Sequence, residues 1–521
     1  MTEKLAILHP EIALFVATCV VMLVGLSKSV AARRASAWIA AAGTLVALFL
    51  ALRSPEGDGL LPGMLPYAKA MVAGVGFLLL LVLAGAVDRG YEARVLRGEV
   101  FDPIRATRGE FYAMFLFSLT GVMLCAGADD LIWLFLALEL VSLPTYIMVA
   151  VSSPRLRAQE AGVKYFFLGA MGAATFLYGF AMLYGAAGTT SLTGIASVFA
   201  ASGIGPLGYL GLILAILGVC FKIAAVPMHF YTADVYEGAA SPVSAYLAFA
   251  PKAAGFFALM LLLSAVGWHD GGLPEPIRVT LWVIAALTMT VGNVLATLQT
   301  SVKRILAYSS IAHSGYMMVG LIAGPGDGGV YQNGLAAILF YLLCYGVMNV
   351  GVFAALTCVE RGQNPDDPRD METLDDIKGL CSSRPLVGWS MVVAVMSLLG
   401  MPVLLGFFAK LVLFTSGIAA GEIVLVVVLG LNSAIAAFYY LKIIGAAMFD
   451  TPDARRDSGH LTPMRGRVLA CVVCGVAVLA LPLFFGRLQD ASARAASTGE
   501  MSARSDADRA MPTAVVSDED R

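Results

Sequence analysis

Charge is what this chain has least of: Asp, Glu, Lys and Arg make up 13% of its 521 residues, against 59% for hydrophobic types. A soluble domain carries about 25% charged residues and 45–50% apolar ones. A water-facing globule is therefore excluded, and the mean hydropathy of +0.82 points the same way. The eight cysteines (19, 125, 220, 344, 358, 381, 471 and 474) lie almost all within or at the edge of apolar runs and form no ligand set. Cys471 and Cys474 make a CxxC, but neither a second pair nor clustered histidines accompany it, so small polarizable core residues are the better reading than a metal or redox centre. There is no GxGxxG after a strand and no P-loop, and the net charge is −2, so nothing speaks for nucleotide or nucleic acid.

What the chain has instead is apolar runs. About 20 such residues suffice to cross a bilayer as helix. Fourteen windows qualify, near 11–27, 36–52, 67–87, 111–127, 130–152, 161–186, 206–226, 242–265, 278–298, 304–323, 331–358, 386–417, 423–447 and 466–486. The expected fold is an all-α polytopic membrane protein. One early lysine precedes Glu11, and no small-residue cleavage site follows the first run, which reads as a retained span rather than a signal peptide. Loops between alternate spans hold twenty Lys and Arg on one side, against Lys4, Arg53, Lys69 and Arg278 on the other. Cytoplasmic loops hold the excess, so both termini are expected outside and the span count even. The tail from Arg487 mixes five Arg with seven acids in Ala/Ser-rich sequence and is expected to be disordered.

Setting spans 4–8 beside spans 9–13 reveals a repeat. The fourth member of each five carries a lysine and a proline break, Lys222 before Pro227 and Lys410 after Pro402. The fifth members hold Lys252 and Lys442. Five is odd, so the second unit enters the membrane from the opposite side. This divides the chain into a three-helix segment (1–110), two inverted repeats (111–265 and 278–450), a C-terminal helix (451–486) and the tail (487–521). Paired discontinuous helices in corresponding positions point to a translocation site.

Ionisable groups inside apolar spans cost at least a few kcal/mol and mark ion or proton paths. Glu139 interrupts LIWLFLALELVSLPTY and needs a proton or a partner there; the economical partners are membrane lysines. Lys222, Lys252 and Lys410 become reversible proton stops when water is withdrawn from them. Lys164 lies a few residues into its span, where a long side chain also reaches the headgroups. His313, in YSSIAHSGY, suits a relay, with a satisfied core histidine as its rival. His229 stands in the break PMHFYTADVYEGAASP, where it either carries protons or caps helix ends. Lys442, behind Tyr439 and Tyr440, reads as an exit gate or an anchor.

Four segments resemble one family: FKIAAVPMHFYTADVYEGAASPVSAYLAFAPKAAGF, GNVLATLQTSVKRILAYSSIAHSGYMMVGL, DLIWLFLALELVSLPTYIMVA and EAGVKYFFLGAMGAATFLYG. They are similar to the antiporter-like subunit N of bacterial NADH:quinone oxidoreductase, respiratory complex I, from about Phe111 to Asp450. Tyr236 in the loop, the Pro251-Lys252 pair and Lys410 in place of a glutamate favour N over the related subunits. The resemblance implies fourteen helices, a translocase subunit without a redox centre of its own, and a polar axis: Glu139 paired with Lys222, Lys252 central, Lys410 toward the far side and Lys164 modulating the pair. It also implies NADH, FMN, iron–sulfur clusters and quinone in other subunits, a neighbouring antiporter-like subunit and small membrane subunits as partners, and the bacterial inner membrane as location. One departure is visible, Val403 after Pro402 where the family often has a second proline. A stand-alone or multisubunit cation/proton antiporter of the same fold is the first rival, and a structural subunit whose charges merely pair helices is the second.

Overall fold

The computed structural model describes residues 2–88, 106–268, 272–326, 329–359, 373–451 and 465–497, with 91, 92, 95, 98–100 and 102. Arg89, Arg94, Arg97, Arg105, Arg361, Arg369, Arg455 and Arg456 of the basic loops lie outside these residues, as does the chain from 498 onward. The described elements are helical: α1 (Thr2–Ile7), α2 (His9–Gly25), α3 (Val30–Ala51), α4 (Met64–Leu83), α5 (Arg108–Ala126), α6 (Leu131–Val151), α7 (Leu156–Ala187), α8 (Leu192–Ser202), α9 (Pro206–Ile223) and α10 (Thr232–Gly238). There follow α11 (Ser241–Val266), α12 (Glu275–Thr297), α13 (Val302–Ala323), α14 (Gly334–Cys358), α15 (Leu380–Ser383), α16 (Pro385–Leu399), α17 (Leu405–Ala419), α18 (Ile423–Met448), α19 (Arg465–Ala480) and α20 (Phe485–Ala495).

Twelve helices among the described residues are long and apolar enough to span a membrane, or thirteen if the Leu374–Ser383 and Pro385–Leu399 pair, bent by 119°, counts as one. This is fewer than the fourteen windows of the sequence for two reasons. The first window folds as the 17-residue α2. The window 386–417 is two helices of 15 residues each, α16 and α17, separated around Gly400 and Pro402. Lys69, read from sequence as a loop charge, lies inside α4 and is fully buried. Residues 487–495, within the stretch expected to be disordered, are helical. Phe485 packs its ring against Phe340, Phe408 and Tyr331, and Ser492 and Ala495 are buried, so residues 485–495 have an apolar face that folds them into α20.

Helices α11, α13 and α14 are buried almost throughout and form the centre, while α3 shows most of its surface to the outside. Burial from every side explains why α11 lacks a polar stripe: Ser241 to Leu263 is inward at every position. Outer pairs pack through small residues, since no hydrophobic force drives helices together in lipid and close approach must supply the attraction. At Gly179 an added methyl would strike the Ala215 backbone of α9, and at Gly218 it would strike Phe176 of α7. That closeness brings the Phe176 ring to 5.5 Å from the ammonium of Lys222.

Candidate functional site

Two helices stop in mid-path, and they stop alike. α9 ends at Ile223, with Ala224 in the left-handed region at φ 57°; α16 ends at Leu399, with Gly400 at φ 94°. In each, the second residue past the end returns its N–H to a carbonyl five residues back, Ala225 to Cys220 at 2.9 Å and Met401 to Met396 at 3.1 Å. This is the Schellman closure. It leaves the last carbonyls without intrahelical donors, at the end of the helix that carries partial negative charge.

Lysines take these carbonyls. Lys252, from α11, donates to Ile223 O at 3.1 Å and to Ser310 O at 2.5 Å, and to the Ser314 hydroxyl at 2.6 Å. The Ser314 hydroxyl in turn donates to Ile223 O at 2.5 Å. Lys410, from α17, donates to Leu399 O at 2.7 Å and lies 5.5 Å from the ring centre of Tyr316. Both ammonium groups are buried. The charged head therefore meets a half-helix dipole rather than a carboxylate.

The carboxylate serves Lys222 instead. Lys222, in the last turn of α9, donates to Glu139 Oε1 of α6 at 3.1 Å and to the hydroxyl of Ser142. Its side chain is 2% exposed and that of Glu139 is 19% exposed. Leu136 and Leu143, three residues before Glu139 and four after it, are exposed on the same face of α6. Glu139 thus stands at the edge of the molecule and Lys222 inside it. Ser142 was not among the sequence candidates. Its spacing, one turn beyond Glu139, is the one trace it leaves in the sequence, and hydroxyls are too common in membrane helices for that to single it out.

His313 of α13 is buried between two tyrosines, with Nδ1 at 2.7 Å from Tyr341 Oη and Nε2 at 3.0 Å from Tyr440 Oη. The Tyr440 hydroxyl also meets Ser309 Oγ at 2.5 Å. His313 shares α13 with Ser310 and Ser314, the partners of Lys252, and its ring lies 5.4 Å from that of Tyr316, the ring beside Lys410, so the histidine lies between the Lys252 and Lys410 sites. Each of these hydroxyls can donate or accept.

The remaining candidates lie apart from this row. Lys164 is 44% exposed and pairs with Glu160 at 2.8 Å and Asp234 at 3.4 Å, not with Glu139 or Lys222. Asp234 and Glu237 are also held by Arg304, at 3.0 and 2.8 Å, which clamps α10 to the start of α13. His229 is half-buried in the break between α9 and α10, and its carbonyl accepts from Thr232 N at 3.0 Å. Lys442 donates to Thr297 O at 3.1 Å, at the last residue of α12, and lies 4.4 Å from the Phe438 ring centre. That is a C-cap contact on another helix.

Residues 128–436 match the NADH:quinone oxidoreductase/Mrp antiporter transmembrane family, a stretch that takes in all of these groups except Phe438, Tyr440 and Lys442. NADH-quinone oxidoreductase subunit N of Trichlorobacter lovleyi is 36% identical over 472 residues, covering 88% of this chain and 91% of the relative. That of Halorhodospira halophila is 36% identical over 500 residues, covering 94% and 97%. The chain belongs to the subunit N family of NADH-quinone oxidoreductases. A chain of respiratory complex I from Thermus thermophilus, solved with bound aureothin, superposes with a TM-score of 0.74 at 31% identity, covering 93% of this chain and 99% of that one. A chain of the Mrp complex from Dietzia sp. superposes at 0.77 over 95% and 97%, but at 19% identity it shares the fold alone. The subunit N family accounts for the multi-pass helical architecture and for an antiporter-like domain in a chain that works within an oxidoreductase.

Proposed function

We propose that this subunit carries one proton-translocation route of an NADH:quinone oxidoreductase, through Glu139, Lys222, Lys252, His313 and Lys410. The observation that carries the proposal is the Glu139–Lys222 ion pair, one end at the edge and the other inside the molecule next to Ile223, the acceptor of Lys252. Movement of a neighbouring subunit against the exposed face of α6 draws Glu139 away. Lys222 then loses its countercharge, and its proton passes by bound water toward Lys252 and on through His313 to Lys410. A charge arriving at one lysine lowers proton affinity at the next. Lys164 modulates the Glu139–Lys222 pair from a distance; His229 carries protons in the break between α9 and α10, and Lys442 stands at the exit.

The wider reading is a subunit of fourteen spans, with α2 as a span and α16 and α17 as one broken span, in two inverted repeats (111–265 and 278–450). A three-helix segment (1–110) precedes them and a C-terminal helix (451–486) follows. The subunit sits in the bacterial inner membrane with both termini outside, against an antiporter-like neighbour and small membrane subunits. NADH, FMN, iron–sulfur clusters and quinone belong to other subunits, and this chain supplies no redox centre. Electron transfer elsewhere and the moving proton here are coupled through the shared membrane arm.

The test is Lys222→Ala in the assembled enzyme, with proton uptake into inverted vesicles measured beside NADH:quinone reductase activity. The complex is expected to assemble on a native gel while proton uptake falls on the order of tenfold, one decade corresponding to about 1.4 kcal/mol. Undiminished pumping sinks the axis.

A further inference from the structure

The three-helix segment holds a second buried acid–base pair, which the route above does not use. Glu11 of α2 and Lys69 of α4 are 5% and 0% exposed. Lys69 Nζ lies 2.8 Å from Glu11 Oε1 and donates to Glu11 Oε2 at 3.0 Å and to Ile7 O at 2.6 Å. The pair forms the floor of a cavity of about 130 Å³, whose other lining includes Asp58, Asp129, Trp133 and Leu261. Asp58 and Asp129 are exposed, so the cavity opens at the membrane face where α2 begins. The segment precedes the stretch matched by the family model, which starts at residue 128.

As packing, this arrangement is uneconomical. A buried ion pair is commonly no more stable than apolar residues of the same volume. A water needs at least roughly 10–15 Å³ of probe volume and takes about 30 Å³ in the liquid, given polar partners, and this cavity has room for several between the carboxylate, the ammonium and the Ile7 carbonyl. Two further carboxylates at its mouth raise the local concentration of cations, hydronium included. Lys69, Asp58 and Asp129 are the charged groups that face Glu11 across the cavity. Glu11 and Lys69 make no hydrogen bond to any member of the Glu139–Lys410 row.

We propose that Glu11 and Lys69 form a second proton-exchange site of the subunit, in contact with the aqueous phase at the N-terminal face through this cavity. The exchange is a transfer from the Lys69 ammonium to the Glu11 carboxylate, which leaves a neutral amine and a carboxylic acid; water in the cavity then reprotonates the amine or removes the acid proton. The site deepens the proton-pumping reading and rests on it for its role, but its chemistry is testable without it.

The first test uses the intact complex in sealed vesicles of either orientation, treated with a membrane-impermeant, water-soluble carbodiimide. The reagent adds to the protonated carboxyl of Glu11, and the Lys69 amine displaces the urea. The product is an amide joining the two residues, found by mass spectrometry as a linked peptide pair lighter by one water. The link is expected only when the reagent reaches the N-terminal face, and severalfold more of it at pH 6 than at pH 8. Modification of Asp58 or Asp129 without the link overturns the proposal. The second test is Lys69→Arg beside Lys69→Met. Arginine keeps the ion pair but does not give up its proton, so both variants are expected to lose severalfold in protons moved per quinone reduced. Normal pumping in an assembled Lys69→Arg complex makes the pair a helix clamp and overturns the proposal. Neither result depends on Lys222→Ala, so the two sites fail separately.

Discussion

Lys252 donates a hydrogen bond of 3.1 Å to the carbonyl oxygen of Ile223, and so is fastened to the residue next to Lys222. Two lysines from different helices thereby share one helix end. Whatever shifts the last turn of α9 when Lys222 and Glu139 separate also shifts an acceptor of Lys252. The coupling is mechanical and electrostatic at once, because a helix end that has lost its i+4 donors presents its carbonyls, and their partial charge, to whichever cation is near. Lys410 on Leu399 O repeats the arrangement at the second break.

Lys252 tests whether that shared end needs a proton that can leave. Lys252→Arg retains a cation that does not deprotonate, and Lys252→Met removes it. Both are expected to lose proton uptake on the order of tenfold relative to the parent, which corresponds to about 1.4 kcal/mol. Proton uptake in oriented vesicles, normalised to assembled complex on a native gel, reads the outcome. Pumping by the arginine variant at the parent rate means that a fixed charge is enough, and Lys252 is then no proton stop.

Ser142 gives a finer test of the Glu139–Lys222 pair. Its hydroxyl is the second partner of the Lys222 ammonium and itself donates to Leu138 O at 2.7 Å. Ser142→Ala takes one hydrogen bond from a buried cation, a loss of about 1.5–3 kcal/mol for a bond to a charged group. Lys222 is then held by Glu139 alone and binds its proton less firmly. Proton uptake is expected to fall severalfold, with the loss reduced at lower pH, where the proton is restored. A pH profile identical to the parent's counts against the serine.

Much of this site was legible because a bilayer leaves ionisable residues so little licence. Glu139, Lys222, Lys252 and Lys410 stood out as charges within apolar runs, and proline marked both breaks. Ser142, Tyr341 and Tyr440 were not legible, because hydroxyls are common in membrane helices and only the fold, which brings Lys222 of α9 to Ser142 of α6 and packs α13 against α14 and α18, turns one toward a lysine or a histidine. Lys69 was misread for a related reason. It lies five residues into α4, where a long side chain would ordinarily reach for the surface, and its contacts with Glu11 and the Ile7 carbonyl, 58 and 62 residues earlier, hold it inside. Lys164 went the other way, its ammonium bound to Glu160 and Asp234 at the surface. The helix of residues 485–495 escaped notice because its few apolar residues are spread among Arg and Asp, while its aromatic partners lie far off in sequence.

The two breaks put different residues in the left-handed position that ends the helix, and that difference predicts a pair of opposite effects. Ala224 holds the left-handed conformation that Gly400 holds without strain, at a cost of about 1–2 kcal/mol for a residue with a Cβ. Ala224→Gly is expected to raise the unfolding temperature of the subunit by roughly 1–3 °C, within the shift that about 1 kcal/mol gives in large domains. Gly400→Ala is expected to lower it by a similar amount and also to slow pumping, since the new methyl would lie 3.1 Å from Cδ and 3.3 Å from Nζ of Lys410 and would push the lysine off Leu399 O. Thermal unfolding followed by tryptophan fluorescence, beside proton uptake, separates the two effects. A Gly400→Ala variant that is destabilised but pumps normally would detach Lys410 from the route.

Val403 settles what the missing second proline does. It occupies the left-handed region at φ 75°, unusual for a β-branched residue, and with 76% of its surface exposed it has little packing to offset the strain. Proline is locked near −65°, so a Pro-Pro break cannot follow this backbone path. Val403→Gly keeps the path and relieves about 1–2 kcal/mol; it is expected to be at least as stable as the parent and equally active. Val403→Pro must redirect the chain between Met401 and Leu404, whose N–H···O contact of 3.3 Å closes the turn, just before α17 delivers Lys410 to Leu399 O. Its proton uptake is expected to drop severalfold while the complex still assembles. If Val403→Pro pumps like the parent and Val403→Gly is no more stable, the left-handed residue does not set the position of Lys410, and the break tolerates two backbone routes to the same site.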